Sequence, residues 1–176
     1  MSRPSIKYTL TNPPILLRRS MAVYQVLLCQ YSRERANHYS GELTRHHEIV
    51  VVTAPASGSE QEVGTAFHVS GSPGCWKFVV SAEVHYVNNS YCGRLRFCTI
   101  PATQAALNDL EAFLRTVPVK NDDPRFNCQR WAWDAAIYMR DHGYNATPPT
   151  TFQGYLSLMH TEAYVKWDTG VESDIE

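Results

Sequence analysis

The sequence predicts an α+β fold in which an antiparallel sheet packs on a central helix that carries a cysteine. Between Ala22 and Ile100, five segments rich in apolar and β-branched residues alternate with turn signals, a pattern typical of an antiparallel sheet. After Pro101 the apolar residues recur at helical spacing instead. With 176 residues and 44% hydrophobic content, the chain is long enough to bury one core and short for two domains.

The five predicted strands are separated by segments rich in Gly, Pro, Ser or charged residues. The second strand, HEIVVVT, has the strongest β-branched character. A long polar segment, Gln30–Arg45, is predicted to be a loop between the first two strands. The strands are expected at Ala22–Cys29, His47–Thr53, Val63–Ser70, Trp76–Ala82 and Arg94–Ile100.

Three helices are predicted in the second half of the chain. The first spans Pro101–Val117, with the proline in the first turn, where its missing N–H is tolerated. The second spans Asn127–His142 and is closed by Gly143. A short third helix is expected over Phe152–His160.

The second helix has few polar positions, so it is predicted to be buried on both sides. Trp131 and Ala135 follow Cys128 by three and seven residues, and these positions share one helix face. That face is expected to point toward the sheet. Trp133 and Ile137 are four apart and are expected to form a second buried stripe.

The chain divides into an irregular N-terminal arm over residues 1–20, a single domain over residues 21–165 and an acidic tail over residues 166–176. The formal net charge of −1 argues against a general nucleic-acid binder, because such proteins carry a basic surplus. No apolar run has the length of a membrane helix or the position of a signal peptide, so no membrane partner is expected.

The sequence has five cysteines, an odd number. They are widely spaced, and none of them form a CxxC pair. This spacing favours a reduced, cytoplasmic protein over a zinc cage or a disulfide framework. The segment from His47 to Val51, HEIVV, begins like the zinc motif HExxH, but valine stands at the second ligand position and the segment is predicted to be a strand. No GxGxxG, P-loop or GxSxG motif is present. The sequence therefore predicts no metal and no cofactor.

The most informative segment for chemistry places Cys128 in the first turn of the second helix. Asn127 is a good N-cap residue, and the positive end of a helix favours a thiolate over a thiol. The free amides of that turn can also stabilise an oxyanion. The sequence thus predicts an activated nucleophile, although a free cysteine is also often just a small buried residue.

A thiol nucleophile needs a base, and histidines on neighbouring strands are candidates. His47 begins the second strand and His68 lies in the third, so a hairpin could place them side by side. One imidazole would take the thiol proton and the other group would orient it. His46 competes with His47 for the first role, because successive strand residues lie on opposite faces.

Three segments together resemble the circularly permuted papain-like fold, which includes the NlpC/P60-related, lecithin:retinol acyltransferase-like and PPPDE families. They are HEIVVV at His47, GTAFHVSG around His68 and FNCQRWAWDA around Cys128. The resemblance spans Val23 to Gly143. More specifically, the chain resembles a fungal subfamily of this type. It implies that the cysteine is the nucleophile, the first histidine the base and the second histidine the orienting residue.

The resemblance also implies the surroundings of the nucleophile. Asn127, Gln129 and Trp131 are expected to contact the substrate or the oxyanion. Glu48 departs from the family pattern, which has a tryptophan after the first histidine.

The function implied is thiol-dependent acyl transfer. The candidates are a thioester or amide hydrolase, an acyltransferase, and a Dieckmann-type cyclase that releases a carrier-bound intermediate of fungal secondary metabolism, the last by analogy only. The expected partners are a small-molecule or carrier-bound acyl substrate and, for the latter, a carrier protein. The alternative is a papain-like binding or interaction domain without catalytic activity.

Overall fold

The computed structural model describes residues 22–32, 45–55, 57, 61–164 and 168. The predicted N-terminal arm, all but residue 168 of the acidic tail, and residues 33–44 of the predicted long loop lie outside the described residues. The strands are β1 Val23–Tyr31, β2 His46–Ala54, β3 Val63–Ser70, β4 Lys77–Val84 and β5 Tyr91–Pro101. The helices are α1 Gln104–Leu114, α2 Cys128–Asp141 and α3 Phe152–Leu158, and a π-helical turn, Met159–Ala163, continues α3.

The five strands form one sheet in the order β4-β3-β2-β1-β5, and all neighbouring pairs are antiparallel. The β-branched strand β2 lies in the middle, where both of its edges are hydrogen bonded. The predicted α+β class with an antiparallel sheet is confirmed. None of the helices in the described part of the chain is long and apolar enough to span a membrane.

Side chains alternate between two faces of the sheet, and each face has its own cluster of buried residues. The helix face carries Leu28, Ile49 and Phe67, which pack with residues of α1, α2 and α3. The opposite face, called here the far face, carries Val50 and Ala66 together with buried tyrosines. The second, central helix α2 lies against β2 and β3 on the helix face.

The start of α1 differs from the prediction, whereas the start of α2 agrees with it. Pro101 ends β5 instead of opening α1, because Thr103 is the N-cap and its side chain accepts a hydrogen bond from the Ala106 N–H at 3.1 Å. In contrast, α2 follows an Asn127 N-cap, and Gly143 after its end has φ +89°, a conformation that favours glycine.

The burial of α2 is less complete than the sequence predicts. Trp131 and Ala135 are fully buried in the helix-face core. However, Trp133 and Ile137 are only half-buried, so the second buried stripe was wrong as stated. On this side of α2, Trp133 Nε1 donates a hydrogen bond to the Pro149 carbonyl at 2.9 Å, and the Trp133 ring lies 5.7 Å from that of Phe152 at the start of α3.

Candidate functional site

The N-terminus of α2 holds Cys128 beside the start of β2. Asn127 is extended at φ −153°, and its Oδ1 accepts a hydrogen bond from the Arg130 N–H at 2.8 Å, which fixes the first turn. Cys128 Sγ lies 4.0 Å from the carbonyl oxygen of Arg45, the residue just before β2. The cysteine is 3% exposed.

His46, the first residue of β2, forms a side-chain hydrogen bond with Cys128. Its Nε2 lies 3.0 Å from Glu48 Oε1 and 2.8 Å from His68 Nδ1. Because Nε2 is engaged by these two groups, Nδ1 is the ring nitrogen left to face the thiol. Burial lowers the pKa of His46, but the hydrogen bonds with Cys128 and Glu48 outweigh burial and raise it to about 9.

Glu48 and His68 complete a cluster with His46, called here the His–Glu–His triangle. Strand alternation places residues 46 and 48 on the same face of β2, and His68 reaches them from the neighbouring strand β3. Glu48 Oε1 and His68 Nδ1 are 2.6 Å apart. Burial raises the pKa of the Glu48 carboxyl, but hydrogen bonds from His46 and His68 outweigh burial and lower it to about 2.

His47 lies on the other face of the same strand. It is 1% exposed, and its Nδ1 is 2.5 Å from the hydroxyl of Tyr155 in α3. Burial raises the pKa of Tyr155 well above its usual value, so this hydroxyl is neutral. The sequence favours His47 as the base, with His46 as the alternative. The structure brings His46 together with Cys128 and His68, because side chains alternate along β2 and the next residue, His47, lies on the opposite face, against α3.

The structure places the other predicted site residues at the cap of α2 and inside the protein. The Asn127 side chain accepts the capping hydrogen bond of α2. Trp131 is fully buried, and its ring centroid lies 5.5 Å from that of Phe78 in the core. Gln129 is 2% exposed, so it lies inside the protein beside the cysteine.

A cavity of about 460 Å³ opens on the far face beside the His–Glu–His triangle. His46 and Glu48 line it, together with Tyr31 and Tyr86. Tyr31 stands opposite His46 in the register of β1 and β2, and its side chain is 6% exposed. The triangle therefore has open space on one side and the thiol of Cys128 beside it.

Residues 35–145 match DUF6540, a family of unknown function. The chain belongs to this family. The DUF6540 match covers β2 to β5, α1 and α2, and therefore all three residues of the triangle as well as Cys128. No curated protein and no solved structure matches the chain.

Glu48 is the site residue that sequence reasoning missed. In the sequence it stands out only as part of an incomplete zinc motif and as a departure from the papain-like pattern, and neither feature assigns it a role in the site. The signal that could have found it is the alternation of β2, because residues 46 and 48 of a strand share a face. On that face Glu48 can reach His68 of β3, so this histidine has a carboxylate partner.

Proposed function

We propose that this chain is a cysteine-nucleophile enzyme of acyl transfer on a permuted papain-like fold. The observation that carries the proposal is the hydrogen bond between Cys128, at the N-terminus of α2, and His46. Glu48 and His68 contact Nε2 of the same imidazole. A nucleophile, a base bonded to it and a third group that orients the base are the parts such chemistry needs.

In the proposed reaction the thiol proton of Cys128 already lies on His46, because the raised pKa of His46 favours a thiolate–imidazolium pair, and the thiolate sulfur forms a bond with the acyl carbon of the substrate. The carbonyl oxygen becomes an oxyanion, which the free amides of the first turn of α2 stabilise. As the oxyanion collapses, the bond to the leaving group breaks and the leaving group takes the proton from the imidazolium. An acyl thioester of Cys128 remains.

The acceptor then decides the product of the second step. Water gives hydrolysis, an amine or hydroxyl gives acyl transfer, and a carbanion within the acyl chain gives ring closure with release from the enzyme. In each case the incoming group attacks the thioester carbonyl and the Cys128 sulfur leaves. The substrate class is an acyl thioester or amide, either small or bound to a carrier protein.

Glu48 and His68 act as positioning residues in this proposal. Both contact Nε2 of His46, so they fix the angle of the ring and leave Nδ1 facing the sulfur. This resembles the orienting group of other cysteine and serine enzymes, in which a hydrogen bond to the far ring nitrogen fixes the tautomer.

A second candidate function is a binding domain of the same fold without catalysis. The observation that favours it is the low exposure of Cys128, 3%, since a nucleophile must meet its substrate. The two candidates differ in one outcome: only an enzyme forms a covalent acyl intermediate on the sulfur.

The test is to trap that intermediate. The protein is incubated with a panel of short and medium-chain acyl thioesters of N-acetylcysteamine, and intact-protein and peptide mass spectrometry locate any added acyl group. We expect acylation of Cys128 that disappears in Cys128→Ala and persists in Cys75→Ala, a matched control at an exposed thiol. Acylation only of Cys75, or none with any thioester, would contradict the proposal and favour the binding domain.

A further inference from the structure

We propose that His46, Glu48 and His68 form a binding site for a divalent transition-metal ion of the zinc type. The metal site depends only on the geometry of the triangle and does not rest on the proposed function. The sequence predicts no metal, because it contains no CxxC pair and no helical HExxH motif.

The distances between the three ligand atoms suit a shared ion. The triangle has edges of 3.0 Å between His46 Nε2 and Glu48 Oε1, 2.8 Å between the two histidine nitrogens, and 2.6 Å between His68 Nδ1 and Glu48 Oε1. Ligands about 2.0–2.1 Å from a zinc ion are roughly 2.9 Å apart at right angles and roughly 3.3 Å apart at the tetrahedral angle. Small side-chain rotations therefore admit an ion at the centre.

The hydrogen bonding of the triangle also points to a cation. Each imidazole nitrogen offers either one N–H or one lone pair in the ring plane, and a carboxylate oxygen offers only lone pairs. If both nitrogens donate to Glu48 Oε1, two N–H groups face each other across 2.8 Å. If one nitrogen is bare, its lone pair faces the carboxylate. With Glu48 ionised, no placement of protons makes all three contacts favourable, whereas a central cation does.

The chemistry of the ligands and their setting indicate the class of metal. Two imidazoles and one carboxylate are a donor set that zinc and similar transition metals accept, with a further position for water. The three side chains are 14–17% exposed, so they are close to solvent yet held in place. The cavity of about 460 Å³ on the far face gives room for the water.

Tyr31 supplies an independent observation. Its hydroxyl is buried and has no hydrogen-bond partner among the described residues, although it lines the same cavity as His46 and Glu48. A buried hydroxyl without a partner is costly. A water on the metal would give this hydroxyl a partner and hold the fourth position of the ion.

The test of the site is a titration of the full chain, freed of metals by chelation, with Zn²⁺ against a chromogenic chelator. We expect one equivalent to bind, with affinity at least about tenfold lower in Glu48→Gln and in His68→Gln. His85→Gln is the matched control, because this exposed histidine lines the same cavity outside the triangle, and it should bind as the wild type does. Circular dichroism checks that each variant is folded. The absence of stoichiometric binding, or an equal loss in all three variants, would overturn the site.

A further readout separates the site from the proposed function. Cobalt in place of zinc should show no thiolate charge-transfer band and should bind equally in Cys128→Ala; a thiolate band would overturn the three-ligand assignment. A failure to trap an acyl-enzyme leaves the titration unaffected.

Discussion

His46 and His47 are adjacent residues of β2 with different environments. The first joins Cys128 to Glu48 on the far-face side, and the second is buried on the helix face against Tyr155. This difference follows from the two-residue period of a strand and not from the identity of the side chains. The sequence could therefore predict that one of the two faces the nucleophile, but not which one, since that depends on where the end of α2 meets the sheet.

The pair of His47 and Tyr155 is expected to support the fold. The substitution Tyr155→Phe removes the hydroxyl that bonds His47 Nδ1 in a fully buried position. The free energy of unfolding should fall by about 1–3 kcal/mol, because a buried polar contact is lost. Urea denaturation measures this, with Tyr138→Phe as the exposed control that should change it by less than about 0.5 kcal/mol. An unchanged midpoint in Tyr155→Phe would show that the hydroxyl contributes nothing to the fold.

At the scale of elements, the β-branched and apolar runs predicted all five strands close to their observed positions. The exceptions have physical causes. Gln30 and Tyr31 were assigned to a loop because of polarity, yet they belong to β1, since Gln30 Nε2 donates buried hydrogen bonds to the carbonyls of Cys92 and Met159. Pro101 extends β5, because Thr103 provides the stronger helix start. Tertiary contacts decide such boundaries, and a local pattern does not contain them.

Gly93 of β5 lies against the π-helical turn, and we expect a side chain at this position to destabilise the fold. This glycine has φ +122°, and a Cβ atom there would overlap the Ala163 carbonyl oxygen. Gly93→Ala should therefore lower the free energy of unfolding by more than the strain of a positive φ alone, which is about 1–2 kcal/mol.

Gly143→Ala is the matched control for this prediction. Gly143 has φ +89°, but a Cβ atom there would meet nothing within 4 Å, so only the backbone strain applies. Urea denaturation of the two variants compares the costs directly. Equal losses in Gly93→Ala and Gly143→Ala would show that the turn moves away from β5 without cost.

At the scale of the whole molecule, the candidate site exists only because distant segments meet. The first two residues of the triangle come from β2, the third from β3, and the thiol from a helix that follows α1. The sequence predicted the cysteine at a helix start and two histidines on adjacent strands, because each of these is a local feature. It could not predict the contact between His46 and Cys128, because this contact depends on how α2 crosses the sheet.

The central claim is that Cys128 is activated by His46. The most direct measurement is the rate of iodoacetamide alkylation of each cysteine at mildly acidic pH, followed by peptide mass spectrometry. Two other thiols act as internal references. Cys75 is exposed, and burial raises the pKa of the Cys98 thiol to about 11, so that Cys98 gains its thiolate only as the pH rises toward that value and should stay unmodified.

We expect Cys128 to be alkylated faster than Cys75 under these conditions. His46→Gln should abolish the difference, whereas His47→Gln, with its fold checked by circular dichroism, should keep it. Alkylation of Cys128 no faster than that of Cys75, or a loss of its reactivity in His47→Gln but not in His46→Gln, would contradict the claim.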